Sequence, residues 1–176
     1  MAKEEIIINR VANSGLITLN LENYFPEKAI LTFDLKDYLF KELILKEKDF
    51  RAALKEHDWE QYQNKVICIY CSNDAIIPIW AYMLVTVYAS PFAETIFQGN
   101  QSSYIQAAID NALNKEDWTA FEGKRIVIKG CSNKPVPEAS YVDLTKRLQP
   151  YAQSIMFGEP CSTVPIFKRP RKLNKG

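Results

Sequence analysis

Two long stretches of the chain follow one script, the second entering at Asp117-Trp118 where the first enters at Asp58-Trp59, and no other feature of the sequence restricts the fold as much. The first copy runs through Asp58-Trp59, Tyr62 and Lys65 to the apolar run Val66–Tyr70, then Cys71-Ser72-Asn73. Pro78, Tyr82 and Thr86 follow, then Pro91-Phe92-Ala93 and a second run ending Ile96-Phe97-Gln98-Gly99. The second copy runs through Asp117-Trp118, Phe121 and Lys124 to Ile126–Lys129, then Cys131-Ser132-Asn133. Pro137, Tyr141 and Thr145 follow, then Pro150-Tyr151-Ala152 and Ile155-Met156-Phe157-Gly158. With one gap in each copy the match extends upstream, where Ala53-Leu54 faces Ala112-Leu113. Two long copies are too few for a solenoid. They make one internally repeated domain, with repeats at about 50–99 and 109–158.

Each copy reads as helix, strand, turn, helix, strand. Short β-branched runs joined by helices long enough to cross over predict βαβ units with parallel strands. Upstream, Leu16–Leu21 alternates and reads as a strand, as does Ile30–Asp34. Helices are expected from about Asp49 to His57, with an apolar stripe at Phe50, Ala53 and Leu54, and from about Tyr104 to Asn114, with Ile105, Ala108, Ile109 and Ala112. The expected fold is α/β: a mainly parallel sheet of about five or six strands with helices on both faces. Residues 1–167 form a single domain in this reading, and 168–176 a basic, disordered tail.

The helices after the two Cys-Ser-Asn turns differ. The later one carries one apolar stripe, Pro137, Tyr141, Leu144 and Leu148, with Glu138, Asp143, Lys146 and Arg147 facing water. Its counterpart, Ala75 to Ala89, has no charged face. The uncharged stretch runs on to Ala93, but Pro78 and Ser90-Pro91 limit its helical part to about 15 residues, short of the ~20 that span a bilayer. A buried or interface helix is expected, not a membrane segment.

Charge narrows the partners. The net charge of +1 includes five cations, from Lys168 to Lys175, in the last nine residues, which leaves residues 1–167 at −4. A body of that sign is not a nucleic-acid surface. The start, Met-Ala-Lys-Glu-Glu, lacks the basic and apolar regions of a secretion signal, and four cysteines in 176 residues make no disulfide framework. Both observations predict a cytoplasmic protein in a reducing compartment.

Together with Asn9-Arg10-Val11-Ala12-Asn13-Ser14-Gly15 and Phe157-Gly158-Glu159-Pro160-Cys161-Ser162-Thr163-Val164-Pro165, these residues resemble a Bacteroidetes family known as domain of unknown function 2480. The likeness covers nearly the whole chain apart from the basic tail. It implies a stand-alone cytoplasmic bacterial protein, and it brings no activity, cofactor or catalytic residue to carry over.

Several chemistries drop out on the residues alone. There is no dinucleotide fingerprint, and Gly123-Lys124-Arg125 lacks the upstream glycine and following hydroxyl of a phosphate loop. The one histidine, His57, faces Glu116 in the second copy and reads as a surface residue at a helix end. Cys68 and Cys71 lie three apart on or beside a strand, so they point to opposite faces, and Cys68 belongs to the core. What remains are Cys71, Ser72 and Asn73, their counterparts Cys131, Ser132 and Asn133, and Cys161 and Ser162 after the last strand of the second copy. Strand-to-helix turns are where open α/β sheets bind ligands. Ser and Asn there are expected to cap the helix, with Pro78 and Pro137 in its first turn. Backbone N–H groups and the helix dipole suit a small anion, and a thiol at such a helix start would be acidified. Cys71 and Cys131 are expected at one edge of one sheet. The wide separations between Cys71, Cys131 and Cys161 match no local ligand motif, so no metal and no cofactor are expected.

Two classes of function follow. One is a non-catalytic binding or interaction module, a homodimer through the helix Ala75 to Ala89, with Val85 among its outward residues. In this reading the cover over that helix is either a second copy or the segment 1–48. The other is an enzyme or anion-binding protein that uses the Cys-Ser-Asn loops.

Overall fold

The computed structural model describes residues 15–130, 133–159 and 161–170. In chain order the strands are β1 (Leu16–Leu19), β2 (Ile30–Asp34), β3 (Leu39–Phe40), β4 (Ile44–Leu45), β5 (Val66–Tyr70), β6 (Thr95–Gln98), β7 (Arg125–Lys129), β8 (Ser154–Glu159) and β9 (Ser162–Lys168). The α-helices are α1 (Glu47–Glu56), α2 (Ile79–Ala89), α3 (Gln101–Leu113) and α4 (Glu138–Leu148).

The α/β class is as expected, but the strands do not share one sheet. β5 and β7 are continuous apolar runs, with Val66 to Ile69 and Ile126 to Ile128 all buried. A strand buried on both faces belongs at the centre of a sheet, between two neighbours. Here the two central strands lie in two separate sheets. β5 lies between β2 and β6, all parallel, and β7 lies between β1 and β8, also parallel, with β9 added antiparallel on β8. The expected single sheet is thus replaced by a three-stranded parallel sheet and a four-stranded mixed one, with β3 and β4 as a separate hairpin. The third strand of each parallel trio comes from the N-terminal region.

The chain accordingly divides into two compact units. The inserted unit is Pro26–Ile105; the split unit holds the residues up to Phe25 and those from Gln106 onward, the division falling within α3. Their parallel cores form the same way. β1 and β2 both stop where a side chain takes over the backbone: Asn20 Oδ1 accepts the N–H of Glu22, and Asp34 Oδ1 that of Lys36, each at 3.0 Å. A one-turn 3-10 helix follows each, at Leu21–Tyr24 and Leu35–Tyr38, burying Leu21 and Leu35.

Matched positions of the two stretches do matching work. Phe50 and Leu54 of α1 are buried, as are Ile109 and Leu113 of α3; Val85 and Ala89 of α2 match Leu144 and Leu148 of α4. Fully burying a Val, Leu, Ile or Phe side chain stabilises by roughly 1.5–3 kcal/mol. Trp59 Nε1 donates to Leu54 O at 2.8 Å, and Trp118 Nε1 to Leu113 O at 3.1 Å. Asn64 and Gly123 both adopt left-handed backbone (φ 57° and 68°), donating to Phe92 O and Tyr151 O.

Three further expectations change. Helix α2 starts at Ile79, because Pro78 is extended (ψ 139°) and stands just before the first turn; Pro137 does the same for α4. Val85 faces the core and is fully buried. Arg147 does not simply face water: it donates to Asp143 on its own helix at 2.6 Å and to Asp110 of α3 at 2.7 Å. At the C-terminal end, β9 runs to Lys168, and the Arg169 guanidinium donates to Gln149, Pro150 and Ala152 carbonyls beyond α4, where cations suit the helix end. The first residues of the expected tail are therefore part of the split unit.

Candidate functional site

The turn after β5 is held from two sides within the inserted unit. Cys71 is half-buried against the unit's core. The Ser72 N–H donates at 3.0 Å to Oδ1 of Asp34, the β2 residue paired with Tyr70. Burial pushes the Asp34 carboxyl up, but the hydrogen bonds from Ser72 and from the Lys36 N–H outweigh it and hold the group below its ordinary value. Asn73 Nδ2 donates to Glu42 O at 2.6 Å, which ties the turn to the β3–β4 hairpin. Neither Ser72 nor Asn73 caps α2, which begins after Pro78 with no side-chain cap. Helix α2 starts only at Ile79, so Cys71 does not stand at its first turn.

The second turn repeats the logic with a different acid. Glu22 Oε1 accepts the N–H of Asn133, in a very short contact, and that of Lys134 at 3.1 Å. Cys131 and Ser132 lie outside the described residues. Cys161 is exposed in the turn between β8 and β9, and Ser162 opens β9. Because β8 runs parallel to β7 with Gly158 opposite Lys129, both chain segments leave this sheet at the same end. Cys71 follows β5 in the other sheet. Cys71 and Cys161 therefore follow strands of different sheets, a result of giving each central strand its own pair of neighbours. Cys68 is fully buried in β5, as expected, and burial raises its thiol to about 11.

The chain belongs to the family of proteins of unknown function DUF2480. The family's model matches residues 5–169, which takes in both units and ends at the Arg169 clamp. No curated protein and no solved structure matches the chain.

In this DUF2480 protein the histidine departs furthest from its sequence reading. His57 does end α1, but it is half-buried in an aromatic box and not a surface group. Tyr38 and Tyr62 hydroxyls lie 3.2 Å from Nδ1 and Nε2 respectively, and Trp59 packs edge-on at 4.7 Å. A neutral ring has one donor and one acceptor nitrogen, so one tyrosine accepts and the other donates. Burial lowers the imidazole below its ordinary 6.5, against a smaller opposing pull from Asp58. Burial likewise pushes Tyr62 up to about 12. Among the described residues no hydrogen bond joins His57 to a thiol, and no group of three or more His, Cys, Asp or Glu is placed to hold a metal. No described helix is long and apolar enough to cross a membrane.

The most conspicuous surface is apolar. Along α2, Ile79, Met83 and Val87 form one outward ridge, 79%, 63% and 69% exposed, and Ile76 just before it is 93% exposed. The hairpin adds Phe40, Leu43 and Ile44, all exposed. A shallow groove lined by Leu43, Ile44, Asp74, Ala75, Ile76 and Pro78 joins the two, with one carboxylate among its apolar walls. The sequence announced the ridge through its missing charges. The hairpin was missed because two-residue strands have no periodicity to read.

Proposed function

We propose that this protein is a non-catalytic interaction module that pairs with a second copy of itself through the outer ridge of α2. One observation carries the reading: Ile79, Met83 and Val87 stand in a row on a helix with no charged residue. Interfaces are distinguished by a core depleted of charge, with methionine among the enriched residues. A two-fold contact sets a patch against itself, so an uncharged ridge needs no complementary partner surface. A membrane-surface helix would instead carry a basic face opposite its apolar one, and α2 has none.

The competing reading, an anion or thiol site at the Cys-Ser-Asn turns, draws less support. Ser72 N–H, Asn133 N–H and Lys134 N–H are engaged by Asp34 and Glu22, so an added anion has to displace a carboxylate of the protein itself. We assign these turns a joining role. The matching hydrogen bonds of Trp59 and Trp118 support descent of both units from one duplicated unit. The free thiols of Cys68, Cys71 and Cys161 support a reducing, cytoplasmic setting.

Sedimentation velocity at micromolar concentration tests the proposal. The wild type is expected to sediment as a dimer and a Met83→Asp variant as a folded monomer. A wild type that sediments as a monomer overturns the reading.

A further inference from the structure

We infer that the β3–β4 hairpin is the second half of the dimer surface, and that Asn73 is the residue that fixes it in register with the α2 ridge. This rests on the self-association just proposed and names what completes it.

The argument begins with area. The ridge with Ile76 is a narrow strip, and a standard interface takes about 800 Å² from each partner. Phe40, Leu43 and Ile44 are 45%, 62% and 60% exposed. Added to the four residues of the helix side they bring the apolar surface to on the order of 800 Å², above the ~300–600 Å² of the largest patch on a typical monomer. The joining groove makes strip and hairpin one surface.

The hairpin is also built to hold its shape. Its turn places Lys41 and Glu42 in left-handed backbone (φ 50° and 61°), a conformation that non-glycine residues hold only where the surroundings fix it. Leu43 N–H closes the turn on Phe40 O, Lys46 Nζ sits 3.4 Å from the centre of the Phe40 ring, and Asn73 fastens Glu42 O. Apolar side chains on a rigid support lose less entropy on docking than the same side chains on a mobile loop.

Charge selects the occupant. From Lys36 to Asp49 the segment carries four cations and four acids, interleaved. With Asp74 of the groove the surface carries one acid in excess, and such a nearly balanced, mixed rim gives no strong pull toward anionic lipid or toward a strongly charged partner. Across a two-fold axis it offers each copy both signs of charge. A second copy of this chain fits that surface.

Two measurements decide it. In wild-type protein, hydrogen–deuterium exchange at about 1 µM and about 100 µM should show slower exchange at high concentration in both α2 and residues 39–45. Concentration-dependent protection of α2 alone overturns the inference and leaves the proposed dimer standing. In a sedimentation series, Leu43→Ser with Ile44→Ser should raise the dissociation constant about tenfold or more, and Asn73→Ala several-fold, with circular dichroism unchanged. Hairpin variants that associate as tightly as wild type, while Met83→Asp dissociates, likewise overturn the hairpin's role. A monomeric wild type with no concentration-dependent protection overturns both.

Discussion

Helices α2 and α4 occupy matching places in the two units, yet they show the solvent surfaces that differ in charge at two of three outer positions. Their inner rows agree: Ala81, Val85 and Ala89 are buried on one, Ser140, Leu144 and Leu148 on the other. Their outer rows do not. Where α2 has Ile79, Met83 and Val87, α4 has Glu138, Val142 and Lys146, all six exposed. Packing against a sheet dictates the inner row and is indifferent to the outer one. A difference confined to the outer row therefore reports what each surface meets, and α4 is the control that α2 needs.

The sharpest way to break the comparison is to put a charge on each row of α2. Val85→Asp should destabilise the inserted unit by about 3 kcal/mol or more, because an unpaired carboxylate then replaces a fully buried side chain. A small shift in urea denaturation would show that α2 is not packed as described. Exchanging the outer rows is the next test. Ile79→Glu with Val87→Lys should raise the dissociation constant by about 100-fold while leaving the urea midpoint nearly unchanged, since surface changes usually fall within about ±0.5 kcal/mol. The reverse pair, Glu138→Ile with Lys146→Val, should create association in a ridge-disabled background.

Smaller effects sharpen the parallel between the units. Trp59 is buried and Trp118 half-exposed, although both donate to a helix-end carbonyl. Trp59→Phe should therefore cost about 1–3 kcal/mol by leaving a buried carbonyl unpaired, and Trp118→Phe less. At the matched left-handed positions, Gly123→Ala should cost about 1 kcal/mol for conformation alone, as no atom lies in the way of a methyl group, while Asn64→Gly should change little. Equal losses at both sites would deny the equivalence. The smallest effect belongs to His57. Its pKa is lowered in the native state, so the unfolded chain binds the proton more tightly, and stability should fall as pH drops below about 6.5 toward the native value. Replacing His57 with Gln should flatten that part of the stability profile; an unchanged slope would exclude the histidine as its source.

The matched positions were legible in the sequence because buried residues and turn residues keep their places at Trp59 and Trp118 or at Pro78 and Pro137. The number of sheets was not. Two apolar central strands can be read from composition, but the neighbour each one takes depends on pairing over long separations. The pattern that decides it, Thr18, Asn20, Leu21 and Tyr24 recurring as Thr32, Asp34, Leu35 and Tyr38, is short and lies upstream of the two long stretches. The Cys-Ser-Asn segments were legible as turns at strand ends and read as candidate ligand-binding loops. Their acids were not legible, because Asp34 arrives from the end of β2 and Glu22 from the 3-10 helix after β1, both distant in sequence. At α2 the absence of charge pointed to a covered helix, but only coordinates separate Val85, which faces inward, from Met83, which faces out.

The interleaving of the two units has a consequence for biosynthesis. Residues 26–105 hold every strand of their own sheet and can fold as soon as they leave the ribosome. Strand β1 is made earlier still, yet its partner β7 begins only at Arg125. The first of the described strands to emerge is thus among the last to be paired, and until then it waits without β7 to join. Its counterpart β2 waits only for Val66. The lag between these two pairings gives the nascent chain an order of assembly in which the inserted unit comes first.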